Sequence, residues 1–222
     1  MERAYGLEVP RTLEDVCDPR RLALLVYDMQ VGIVEQVPDP QATIARVRQV
    51  LGAAREAGVR TFFSRHLSLP KELMGVSQHR TAMAWQRVNR VADTRSLFLR
   101  DSPGFQLIPE VQPLASEAIF DKLSMSFFAG TPLDVALRDC GIVAFAIVGL
   151  VLEIGIEPTV SHGADLGYVP IVVADACGSV EQDARERALA SIGYTLFSHV
   201  TDADTFCRLL LAAPGPGPVH QP

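Results

Sequence analysis

Missing from this chain is any run of about 18 uninterrupted apolar residues, the length a membrane helix needs. Its opening stretch, MERAYGLEVPRTLEDV, also lacks the basic and then apolar layout of a signal peptide. A cytoplasmic protein with no membrane partner is expected. Basic clusters are missing too: 20 Lys and Arg against 26 Asp and Glu give a formal charge of −6, which argues against a nucleic-acid partner. Cysteine is scarce. Cys17, Cys140, Cys177 and Cys207 are widely spread, with no CxxC pair and no His at ligand spacing, so reduced thiols are expected rather than a disulfide framework or a zinc site. No internal repeat is visible.

What is present is enough for one α/β domain. With 222 residues, 48% of them hydrophobic and 21% charged, the chain can bury a proper core but not two. The expected division is an N-terminal arm over residues 1–20, polar and irregular, a domain over 21–212, and a Pro/Gly-rich disordered tail over 213–222. Within the domain LALLVYDMQ, from Leu22, reads as an apolar strand with an acid at its end. Asp39 and Pro40 open a helix whose apolar spacing carries it to Ala57, and Gly58 stops it. VRTFFS is the next strand. From Arg65 to Pro113 periodicity is weak, which marks an excursion that shapes a substrate site or an oligomer contact. EAIFDK is a short strand ending in a cation, and Thr131 with Pro132 opens a helix closed at Gly141. IVAFAIVGL reads as a central strand buried on both faces, followed by a turn and a helix near Ile156 with Pro158 in its first turn. YVPIVVADACGS, a helix from Val180 to Ile192, TLFSHV and TDADTFCRLLLA complete the alternation. The pattern predicts a three-layer α/β/α domain with a mostly parallel sheet of about six strands.

In such sheets ligands bind beyond the carboxyl ends of the strands. Three strand ends present unusual groups there: Asp28, Lys122 and the turn ending in Gly155. An Asp beside a Lys is held ionised and oriented as a proton carrier. The amides at Gly155 and Ile156 offer a place for an anion or a developing oxyanion. Glu153, two residues before Gly155, is a candidate second carboxylate and general base for water, or else a solvated carboxylate; Glu157 reads as a helix-dipole partner. Arg80, with Arg87 behind it, is the leading candidate to clamp a substrate carboxylate, against a plain exposed helix face. Trp85, Phe127 and Phe128 either wall the pocket or pack the core. Cys177 reads as a small core residue, because no His accompanies it.

The pieces LLVYDMQ, FDKLSMSFFAGTPLDVAL, VGLVLEIGIEPTVSHGADLGY and VVADACGS, in this order and spacing, resemble the isochorismatase-like hydrolases over roughly residues 20 to 200. The resemblance implies that Asp28 is the catalytic acid/base and Lys122 the catalytic lysine. It implies a cis peptide at Leu150–Val151, which with Ile156 would border the substrate. It also implies a homodimer or homotetramer. Most members carry a nucleophilic cysteine where this chain has Gly155, so thioester chemistry has no side chain to run on. Isochorismatases of the family have Gly there and cleave a vinyl ether by protonation, although they place a Tyr where this chain has Val151. His66 falls near the Asp-x-His pair of metal-using relatives, but position 64 is Ser, so neither metal nor organic cofactor is expected. Three readings stand: a hydrolase of a small polar, anionic substrate, such as an enol ether, working through Asp28 without a thiol; a non-catalytic binding or structural homologue; and a thiol amidohydrolase whose nucleophile has been mutated to Gly155.

Overall fold

The computed structural model describes residues 1–213. The chain forms β1 (Glu2–Ala4), β2 (Leu7–Val9), α1 (Leu13–Val16), β3 (Leu22–Tyr27), α2 (Val31–Val34), α3 (Pro40–Glu56), β4 (Arg60–His66), α4 (Val76–Gln86), β5 (Ala118–Lys122), α5 (Leu133–Asp139), β6 (Ala144–Leu150), α6 (Glu157–Asp165), β7 (Val169–Gly178), α7 (Gln182–Thr195), β8 (His199–Thr201) and α8 (Ala203–Ala212). A π-helical turn over Leu152–Ile156 leads into α6. The six strands β5-β4-β3-β6-β7-β8 form one sheet, and every neighbouring pair is parallel.

Period-two alternation sorts the central strands between two cores. Leu22, Leu24 and Val26 of β3, with Ala144, Ala146 and Val148 of β6, join Val47, Leu51, Phe206 and Leu210 of α3 and α8. Ala23, Leu25 and Tyr27, with Phe145 and Ile147, join Leu133, Leu137, Val160 and Ile192 of α5, α6 and α7. Both faces are covered, which makes the expected three layers. One consequence bears on function: Tyr27, last in β3, must point to the α6 side.

The chain runs outward from β3 to β4 and β5, then returns to lay β6 against the other side of β3. The strand ends of β3 and β6 are therefore where connections part to opposite sides, and a crevice opens there. Gly149 lets the two strands close up at that point: its φ is +121°, and a Cβ on it would fall 2.1 Å from the Tyr27 carbonyl oxygen, so no side chain fits.

Two expectations need correction. The first twenty residues are not irregular, since they hold the antiparallel hairpin β1–β2 and helix α1, capped by Thr12. Asp39 precedes α3 in a left-handed conformation without a side-chain cap bond, so Pro40 rather than Asp39 marks the start. The weakly periodic segment from 65 to 113 holds, after the end of β4, α4 and four single 3-10 turns. The tail expected from residue 213 lies, apart from Ala213, outside the described residues.

Candidate active site

Asp28 follows β3 in a left-handed turn, φ 45°, and is 4% exposed. Lys122, at the end of β5, is 2% exposed and donates to Asp28 Oδ2 at 2.6 Å. Ser64 of β4 donates to Oδ1 at 2.5 Å and accepts the Asp28 amide at 3.1 Å. Three adjacent strands thus fix one carboxylate from both oxygens. Burial lowers the Lys122 pKa, while the Asp28 charge and hydrogen bond oppose the drop. The ammonium also lies 4.3 Å from the centre of the Tyr27 ring, a cation–π contact that adds to the Asp28 attraction.

A cavity of about 510 Å³ opens over this carboxylate, bordered by Tyr27, Asp28, His66, Trp85, Arg87, Leu150, Val151, Glu153 and Gly155 among others. The Leu150–Val151 peptide is cis. Although Gly155 borders the cavity, the position its Cβ would take is filled. A Cβ at that position would fall 2.1 Å from the Tyr27 hydroxyl and 2.5 Å from two of its ring carbons. Tyr27, 1% exposed, is held there by its hydroxyl bond to the Met125 carbonyl and by an edge-on contact with Phe127. Burial, then the Asp28 charge, raises its pKa well above the ordinary range, so it is a neutral phenol and not a phenolate nucleophile.

No thiol elsewhere substitutes. Cys177 is sealed in β7 with Sγ on the Ile147 carbonyl, and burial pushes its pKa up to about 12. Burial likewise raises Cys17 to about 12 and Cys207 to about 11, which leaves them as inert thiols.

Several sequence candidates land elsewhere. The amides of Gly155 and Ile156 are not open: both donate to the Val151 carbonyl, at 3.0 and 3.2 Å, because the turn is π-helical. Ile156 is fully buried in the core beside α6. Phe128 is also in that core, stacked on Tyr168 at 5.6 Å, away from the cavity. Ser77, Thr81 and Trp85 of α4 border the cavities, whereas Arg80 borders neither and is exposed. Arg87 borders the main cavity instead, because its left-handed turn after α4 (φ 53°) redirects the chain. Trp85 lies on the wall, 46% exposed. Glu153 borders the cavity too; its Oε1 accepts the Val180 amide at 2.9 Å and the Glu181 amide at 3.4 Å, and Oε2 is buried without a partner.

Residues 22–205 match the isochorismatase domain. The chain belongs to the isochorismatase family. A ureidoacrylate amidohydrolase from Serratia proteamaculans (strain 568) is 29% identical over 212 residues, covering 87% of this chain and 84% of that one. A cysteine hydrolase from Pseudomonas syringae pv. phaseolicola 1448A superimposes with a TM-score of 0.76 at 25% identity, covering 89% and 95% of the two chains. A pyrazinamidase of Pyrococcus horikoshii, solved in complex with zinc, has a TM-score of 0.69 at 19% identity, covering 82% and 99%. The donors in this family member do not make a metal site: the Ser64 hydroxyl is committed to Asp28, and among the described residues no three His, Cys, Asp or Glu side chains converge on a point. No helix among the described residues is long and apolar enough to cross a membrane.

Of the sequence candidates, Asp28, Glu153, Gly155, Leu150 and Val151 come together around the cavity, with Lys122 bonded to Asp28. Sequence reasoning passed over Tyr27, Ser64 and Gln30, which is fully buried. The usable signal for Tyr27 was its place as the last residue of β3, on the face opposite Val26.

Proposed function

We propose that this chain hydrolyses a small polar, anionic substrate, such as an enol ether, by acid/base catalysis at Asp28 without a covalent nucleophile. The observation that carries this is the filled space beside Gly155: the phenol of Tyr27 stands where a thiol would have to be, while the Asp28–Lys122 pair is intact and faces a cavity. A thiol amidohydrolase disabled by a single change to Gly155 would have been left with a gap there. A purely structural homologue would have no use for a buried ion pair opening onto a cavity of about 510 Å³, since burying two charges is costly unless something else requires them.

In the proposed reaction Asp28, a carboxylate at rest, first takes up a proton from solvent, and the carboxyl so formed gives it to the terminal carbon of the vinyl ether. The Lys122 ammonium and the Ser64 hydroxyl stabilise the carboxylate left behind. Water adds to the resulting oxocarbenium carbon and returns a proton to Asp28, and the hemiketal collapses to an alcohol and a carbonyl compound. Glu153 is the group we assign to orient that water, and Arg87 at the cavity border the one to attract a substrate carboxylate. The relative's ureidoacrylate is likewise a small anion, and it belongs in the test.

The test is a panel of isochorismate, simpler enol ethers, ureidoacrylate and small amides, with the wild type and Asp28→Asn in parallel. Ether turnover that drops by about 10² to 10⁴ in Asp28→Asn is expected for a general acid. Turnover indifferent to Asp28→Asn would refute the assignment.

A further inference from the structure

His66 has no part in the chemistry above, yet it is built into the site with care. It ends β4, and its backbone is clamped at both polar groups by one buried side chain: the amide donates to Gln30 Oε1 at 2.6 Å, and the carbonyl accepts Gln30 Nε2 at 3.1 Å. The ring is set edge-on between Phe98, centroid 5.9 Å away at 81°, and Trp85, 6.4 Å away at 60°. The side-chain hydrogen bonds found among the described residues leave both ring nitrogens without a partner, and neither is sealed off as His79 Nδ1 is. Burial, then the Lys122 charge, lowers its pKa to about 4. At neutral pH the ring is a neutral imidazole, with one donor and one acceptor to offer.

Its position gives those nitrogens a purpose. His66 lies on the wall of the Asp28 cavity and also borders a second cavity of about 240 Å³. The two share Trp85, Leu97, Phe98 and Met125. The outer one mixes apolar walls with polar groups, among them Ser77, Gln78 and Thr81 of α4 and Arg95 of the following loop. Because neither nitrogen is sealed or committed to a protein partner, both are free to bond a ligand that displaces water from the cavity.

We propose that His66 is a substrate-binding residue joining the two cavities into one elongated cleft, with the reacting group over Asp28 and a hydrophilic remainder, hydrogen-bonded at His66, in the outer cavity. This rests on the reading of Asp28 as the reacting centre. The ligand class is therefore a small polar molecule with a hydrogen-bonding atom between its reacting end and a hydroxylated or anionic tail.

Two measurements test it. Diethyl pyrocarbonate acylates unbonded neutral imidazoles, so at about pH 6 peptide mass mapping should show His66 labelled, and about tenfold slower labelling with saturating isochorismate or ureidoacrylate. No labelling of His66, or labelling that neither compound slows, overturns the proposal. For any compound turned over, His66→Phe keeps the aromatic packing and removes the nitrogens. It should raise KM about tenfold, the effect of one lost hydrogen bond, with His66→Gln recovering most of it. An unchanged KM in His66→Phe, or a loss confined to kcat, overturns it as well. The labelling arm is repeated on Asp28→Asn. Protection there, combined with turnover that survives Asp28→Asn, would end the acid reading and leave the binding site standing.

Discussion

Putting a side chain back at position 155 is the most demanding test of this site. In Gly155→Cys the new Cβ would fall 2.1 Å from the Tyr27 hydroxyl and 2.5 Å from Cε1 and Cζ, well inside contact distance. Tyr27 cannot swing away cheaply, because its hydroxyl is tied to Met125, Phe127 packs against its edge and Lys122 sits over its face. Overpacking of a close-packed core costs about 1 to 3 kcal/mol. We expect about 3 kcal/mol for Gly155→Cys by urea unfolding, or about 6 to 12 °C in Tm for a chain of this length. Tyr27→Val alone should cost about 3 kcal/mol through the void it leaves. Combined, the two changes should relieve each other: the thiol fills the void, and the double variant should be more stable than the sum of the singles by at least about 1 kcal/mol. The double variant should also gain a cysteine that iodoacetamide reaches from the cavity, beside Asp28 and Lys122. A Gly155→Cys protein as stable as the wild type, or a strictly additive pair, would refute the reasoning that Tyr27 occupies the thiol's place.

Lys122→Met should destabilise the fold by about 3 to 5 kcal/mol, because it leaves Asp28 buried without its counter-charge; denaturant midpoints check this, and a loss under about 1 kcal/mol would mean that solvent reaches the pair. Acid should weaken the fold through His66. Its pKa falls from 6.5 to about 4 on folding, so the unfolded chain takes up the proton first, and stability present above pH 6.5 is lost as pH drops toward 4, by about 3 kcal/mol. Lys122 opposes the proton and Asp28 favours it, with Glu153 and Arg87 on the same cavity wall; His66→Phe should lose less stability than the wild type over that range. In the native protein iodoacetamide at about pH 8 should label half-buried Cys140 before sealed Cys177, and quantitative peptide mapping that shows the reverse order would contradict the burial of β7.

The layers were legible because apolar runs and their interruptions are local. Leu22 to Gln30 read as an apolar strand ending in an acid and the run from Ile142 as a strand buried on both faces, and the strands they hold are neighbours at the centre of the sheet. What failed at the level of elements was capping and the arm: a Pro at the first helical position starts α3 without help from Asp39, and three-residue strands carry too few residues to show a period. The excursion from 65 to 113 was read as a substrate-side segment because it lacks period, and α4 does border both cavities. Its helical face was not legible. Ser77, Thr81 and Trp85 mix polar and aromatic residues on one side, so no apolar stripe pointed inward to tell Arg80 from Arg87.

The site divides along the same line. Asp28 and Lys122 stand at the ends of β3 and β5, on the same edge of the sheet, and their side chains meet across the end of β4. The role of Gly155 was not inferable from such a placement. An absent side chain leaves either room or a replacement, and the difference lies in a residue 128 positions earlier in the chain. Tyr27 looked like one more apolar strand residue beside Asp28. Only the sheet's alternation sends it to the α6 face, and only the close approach of β3 to β6 at Gly149 carries its hydroxyl as far as the π-helical turn. That same turn consumes the amides of Gly155 and Ile156 on Val151. A cysteine hydrolase in this scaffold would need both a thiol and free donors at this point. This chain has no thiol there and its Gly155 and Ile156 amides are taken, while Asp28, Glu153, His66 and Arg87 border the cavity, the groups on which the proposed acid/base reaction and anion binding rest.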